Sequence, residues 1–180
     1  FALTAAVLFG FSAAASNVQL VVQAVDNGDA VPGNTYRVYA ELPSNQHSLH
    51  AIFADGEHLL NVTSTGSFYQ NQLGGATSYD VNDAIIGMDE SLAFDSWVTV
   101  GLDQKASASA GEEDAATVSG VSPSWTVGFE DGGDISITDG TGGGWYILNS
   151  AVNGLAGDDQ RVLLGQFTTD GDLSGTMRIQ

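Results

Sequence analysis

Apolar and polar residues alternate along much of this chain with a period of two. Over residues 17–25, Val18, Leu20, Val22 and Ala24 fall on one side, and Asn17, Gln19 and Gln23 on the other. Successive side chains of a strand point to opposite faces, so this is the pattern of a half-buried strand. The pattern returns over 35–42, where Tyr36, Val38, Ala40 and Leu42 share a face. Between the two strands, Asp26, Asn27, Gly28 and Asp29, then Pro32, Gly33 and Asn34, supply turn chemistry. Residues 49–54 and 57–63 flank Asp55 and Gly56, which predicts a hairpin closed by those two residues, with Gly56 at positive φ. In that register Ala54 pairs with Glu57 and Phe53 with His58. Leu49, Ala51, Phe53, Leu60 and Val62 then share one face.

Further on, residues 91–102 give the clearest remaining strand. Phe94, Val98, Val100 and Leu102 share a parity there, and Trp97 points the other way. Residues 80–86 fit a short strand or a turn of helix, and the alternation resumes over 125–129. Acidic, glycine-bearing turns at 131–134, 139–144, 153–159 and 170–172 introduce strands near 135–137, 145–148, 162–169 and 173–180. Two stretches read as loops. Residues 66–79 carry Phe68 and Tyr69, which are expected to anchor that loop to the core, the alternative being a stacking platform. Residues 103–120 are low in bulk and aperiodic, and are expected to form a long exposed loop. Regular strands, glycine-rich turns and no helical period after residue 16 predict an all-β fold. We expect an antiparallel β-sandwich, jelly-roll-like or Ig-like, as a single domain over 17–180.

Residues 1–16 stand apart, since they carry no charge and end in Ala13, Ala14, Ala15 and Ser16. An apolar run ending in small residues matches the hydrophobic region and cleavage site of a secretory signal, with cleavage near Ser16 and an extracellular or cell-surface location. The alternatives are a retained apolar segment, as in a filament subunit, or a buried first helix. The run is shorter than the roughly 18 apolar residues of a membrane span.

Composition narrows the chemistry. There is no cysteine, which excludes disulfides, zinc–thiolate sites and a cysteine nucleophile. Lys and Arg number 4 against 22 Asp and Glu, a formal charge of −18. Such a surface repels phosphates, so nucleic acid and anionic membrane are excluded as direct partners.

No nucleophile elbow, P-loop or dinucleotide fingerprint is present, and no catalytic residue is assigned. With so many acids, adjacency of two carboxylates carries little information about a glycosidase pair. His47, His50 and His58 do not converge in the predicted register, so they make no metal site. Calcium is the candidate cofactor, through Asp131, Asp134, Asp139, Asp170 and Asp172 in short acidic loops. None of these loops has the spacing of an EF-hand, and turns built of turn-forming residues are the favoured explanation of them. Trp97, Trp125 and Trp145 offer faces on which a sugar ring stacks, but at least two of the three are expected in the core.

The segments PGNTYRVY at 32–39, FDSWVTVG at 94–101 and RVLLGQFTTDGD at 161–172 resemble a β-domain of secreted, surface-associated proteins of marine bacteria. The resemblance spans residue 17 to the end. It implies secretion and a β fold, but no activity, and it carries over no functional residue. The expected function is a secreted or cell-surface structural or adhesive module without catalysis. One alternative is a subunit of an extracellular filament, partnered with itself by strand exchange. Another is a carbohydrate-binding module or glycoside-active enzyme acting on surface polysaccharide.

Overall fold

The structure, a computed structural model, describes residues 8–11 (backbone), 18–138, 140 and 142–180. Its strands are β1 (Leu8–Phe11), β2 (Gln19–Val25), β3 (Asn34–Glu41), β4 (Ala51–Ala54), β5 (Leu60–Ser64), β6 (Trp97–Val98), β7 (Ala116–Ser119), β8 (Ile135–Ile137), β9 (Gly143–Tyr146), β10 (Arg161–Thr169) and β11 (Leu173–Ile179). Two short helices join them, α1 (Asp83–Ile86) and α2 (Trp125–Glu130).

The smaller sheet has the antiparallel order β2-β3-β10-β6. Its central β3 follows the predicted alternation, with Tyr36, Val38 and Ala40 buried. A register shift between Leu163 and Gly165 in β10 lets Val162, Leu164 and Phe167 all reach the core.

The larger sheet is paired along the path β7-β9-β4-β11-β5-β8, and β1 pairs in parallel with β11. β4 and β5 both lie along one edge of β11. Gln180 exchanges backbone hydrogen bonds with Ala51, Asp172 accepts one from Thr65, and residues 172 and 180 have the same parity in an unbroken strand. β9 and β8 follow on the far side at one constant register, Ala51 opposite Tyr146 and Leu60 opposite Ile137. Residues 55–59 therefore leave the sheet while β11 runs straight through. β1 takes the other edge of β11.

This arrangement corrects the predicted hairpin. The tight turn exists, but Asp55 and His58 close it and Gly56 and Glu57 form its loop. β4 and β5 pair with β11 and not with each other. Phe53 sits opposite Arg178 and Gly144, and Ile52 and Ala54, not Ala51 and Phe53, face inward. Gly56 is not among the residues at positive φ. The long β11 gives each short strand a partner, and this parity buries Ile52, Leu60 and Val62 completely.

Three other expectations change. Most of 91–102 is not strand, because a 3₁₀ helix occupies Glu90–Phe94, started by Asp89 accepting a hydrogen bond from the Ser91 amide. Residues 125–129 are helical, with Ser124 as the cap. Trp125 and Phe129 lie four apart, one helical turn, and both are buried. Part of the expected loop at 103–120 is the edge strand β7, which pairs with β9.

The two sheets pack face to face as a β-sandwich. Val38, Leu164 and Phe167 of one meet Ile52, Leu60, Ile135, Trp145 and Met177 of the other. Trp145 Nε1 donates to the Thr99 carbonyl at 2.9 Å. Phe68 anchors its loop, with its ring centroid 5.6 Å from that of Phe129 and 5.7 Å from that of Phe167. The outer face of the smaller sheet is covered: Val81, Ile86 and Trp97 pack on Leu163 and Tyr39. The outer face of the larger sheet carries no such layer among the described residues, and Val118 and Tyr146 lie exposed on it.

Candidate functional site

The acidic loops nominated for calcium gather, in part, around one segment. Asp134 Oδ1 accepts a hydrogen bond from the Ser64 amide at 2.9 Å, and Asp170 Oδ1 accepts one from the Ser67 amide at 3.2 Å. The Asp172 amide donates to Thr65 Oγ1 at 2.8 Å. Asp131 stands apart as the cap that ends α2, and Asp139 lies outside the described residues. Among the described residues no three His, Asp or Glu side chains come together as a metal-holding group. Two of these carboxylates hold the loop over 64–67 by its backbone.

A different pair of acids departs from ordinary behaviour. Asp95 is fully buried. Burial pushes its carboxyl up to about 7, against the pull of the Asn71, Ser96 and Gly75 amides, and the charge of Asp80 adds to the rise. Asp95 Oδ1 accepts from the Asn71 amide at 2.7 Å, while Oδ2 has no well-formed hydrogen bond. Burial also raises Asp80, with Glu130 and Asp114 adding and Lys105 opposing. Both acids press on two consecutive glycines. A Cβ at Gly74 would collide with Asp95 Oδ2, and one at Gly75 with Asp80 Oδ2. Glu130 Oε1 accepts from the Ala76 amide just beyond them. These carboxyls grip a loop.

One opening lies on the outer face of the larger sheet. Register places Val118, Gly144, Phe53 and Arg178 in one row across four strands, and Ala116, Tyr146, Ala51 and Gln180 in the next. Gly144 sits at φ 149°, and any Cβ there would strike the Ile52 carbonyl. The surface is hollow at that point, and Phe53, Val118 and Tyr146 wall a groove of about 290 Å3. A second hollow of about 420 Å3 shares Ala51, Tyr146 and Gln180 with it and adds His50 and Asn149. Together they have the size of small-ligand clefts, about 300–1,000 Å3. Tyr146 is 39 % exposed and Val118 48 %. The Arg178 guanidinium lies over the Phe53 ring at 5.2 Å and stands 3.7 Å from Asp55 Oδ2. Its Nη1 is buried without a hydrogen bond.

The rest of the same face is polar. Thr63 and Ser174 share a hydroxyl hydrogen bond of 2.8 Å, and Asn61 Oδ1 accepts from the Thr176 amide. Among the described residues, the aromatic and hollow part of this face is the end formed by β4, β7 and β9. All three tryptophans are buried, so none offers an exposed face. Sequence reasoning missed the groove because its residues come from strands far apart in the chain. Phe53 also carried the wrong facing in the predicted hairpin.

No helix among the described residues is long and apolar enough to cross a membrane. Compared with protein-family models, curated proteins and solved structures, the chain matches none.

Proposed function

We propose that this chain is a secreted or cell-surface β-sandwich module with a structural or adhesive role and no catalysis. The observation that carries the reading is the groove on the larger sheet. It is built on paired strands, so its side chains are held rigidly, as a surface for docking requires. The acids with raised pKa support the non-catalytic part, because Asp95 is fully buried and turned toward loop backbone. The test is immunogold labelling of intact cells of the source organism, with binding of the purified protein to washed cell surfaces. Surface label and binding are expected. Label confined to the cell interior, with no surface binding, would reject the reading.

A second reading, a filament assembled by strand exchange, has one observation in its favour. Leu8–Phe11 pairs in parallel with β11, opposite Ser174, Gly175, Thr176 and Met177. Such pairing uses backbone hydrogen bonds and transfers readily between copies. Cleavage near Ser16 would remove this strand, so the two readings predict different masses. Fibres seen by electron microscopy in material whose intact mass includes residues 8–11 would favour the filament. Monomers of that same material would dismiss it.

A further inference from the structure

We infer that the groove over Gly144 binds a neutral saccharide, the end or a short stretch of an uncharged polysaccharide. The inference rests on the adhesive reading above and names its ligand. Four features of the groove select this chemistry.

The first is the combination of surfaces. Tyr146 and Phe53 present aromatic carbon beside a floor with no side chain at Gly144. A pyranose ring has apolar C–H faces and a rim of hydroxyls, and an aromatic wall with polar groups at its end suits both parts. The second is the kind of polar group. His50, Asn149 and Gln180 line the adjoining hollow. Their amide and imidazole groups offer hydrogen-bonding partners to hydroxyls, which both donate and accept.

The third is charge. The groove lining holds no Asp or Glu side chain to draw a cation. The nearby Arg178 is offset by Asp55, 3.7 Å away. A chain of formal charge −18 repels uronate and sulfate polymers at long range. The fourth is the backbone. β4 lies between β9 and β11, and β9 between β4 and β7, so their ladder groups are already paired. A peptide finds no unpaired ladder on β4 or β9, and an occupant of the groove floor is recognised through side chains.

The experiment is affinity electrophoresis of the folded protein through gels containing laminarin or hydroxyethylcellulose, both neutral, or alginate, which is acidic. Wild type is compared with Tyr146→Ala, Tyr146→Trp and Tyr79→Ala. Tyr79 serves as an exposed tyrosine outside the groove, held by Lys105. The expected result is retardation by at least one neutral polymer. Tyr146→Ala should lose at least tenfold in affinity, Tyr146→Trp should retain it, and Tyr79→Ala should behave as wild type. Circular dichroism confirms that each variant folds. No retardation by either neutral polymer overturns the inference, as does an unchanged Tyr146→Ala or stronger retardation by alginate. A concentration-dependent dimer that Tyr146→Ala abolishes overturns it in favour of a second copy as occupant. Washed cell surfaces separate the two levels of the argument. Binding that the neutral polymers do not compete away defeats the saccharide and leaves the adhesive module. No binding at all defeats both.

Discussion

Replacing Asp95 by Asn tests the most unusual group in the protein. The Asp95 carboxyl is fully buried, and burial raises its pKa from 3.8 to about 7. In the unfolded chain it returns to the ordinary value. Between those two pH values the folded protein keeps a proton that the unfolded chain has lost. Stability from this group is therefore fully present below pH 3.8 and falls as pH rises through the window to about 7. At 1.36 kcal/mol per unit over about three units, the loss is about 4 kcal/mol. Asn is neutral at every pH and keeps an oxygen to accept from the Asn71 amide, so Asp95→Asn removes this slope. Urea unfolding of both proteins from pH 4 to pH 8 measures it, and subtracting the curves cancels the other acids. The variant should gain about 4 kcal/mol on the wild type across the series. A difference constant to within about 1 kcal/mol, or one that runs the other way, would refute the argument from burial.

Four further outcomes follow from the structure. Trp145→Ala should cost about 3–5 kcal/mol in chemical unfolding, because it empties a fully buried site and strips the Thr99 carbonyl of its donor. A loss under about 1 kcal/mol would mean that the sheets do not meet at Trp145. Gly144→Val should destabilise by about 3 kcal/mol or more, since φ is 149° and the Ile52 carbonyl fills the space a side chain needs. Gly56→Val should stay within about 1 kcal/mol, because its φ is not positive and the nearest atom to a new Cβ is 3.4 Å away; equal losses at the two glycines would contradict this. In a thermal melt at fixed high NaCl, calcium and chelator should give the same midpoint, because Asp134 and Asp170 already accept from backbone amides. A calcium-specific rise that vanishes in Asp134→Ala would establish a site there.

The sequence by itself determined the fold class, through the long strand β3 above all. Tyr36, Val38 and Ala40 alternate with the half-exposed Arg37, Tyr39 and Glu41, and no other regular structure buries that set. It also determined where turns fall, because Gly, Asn and Asp mark them by their own backbone preferences. Short segments were less legible. Trp125 and Phe129 fit a strand's alternation and a helix's turn equally over five residues, and only the cap at Ser124 and the aromatic core beside Phe68 favoured the helix.

Tertiary structure decided the rest. β4 and β5 are adjacent in sequence, and local pattern made them partners. The long edge of β11 offered each of them more burial, and that choice turned Phe53 from the core to the surface. The groove exists only because register then set Phe53 beside Gly144 and Val118, and Ala51 beside Tyr146. Asp95 is likewise one of 22 acids in the sequence, and nothing in its neighbours marks it. Its pKa comes from desolvation, which depends on everything packed around the group, and no run of adjacent residues encodes that.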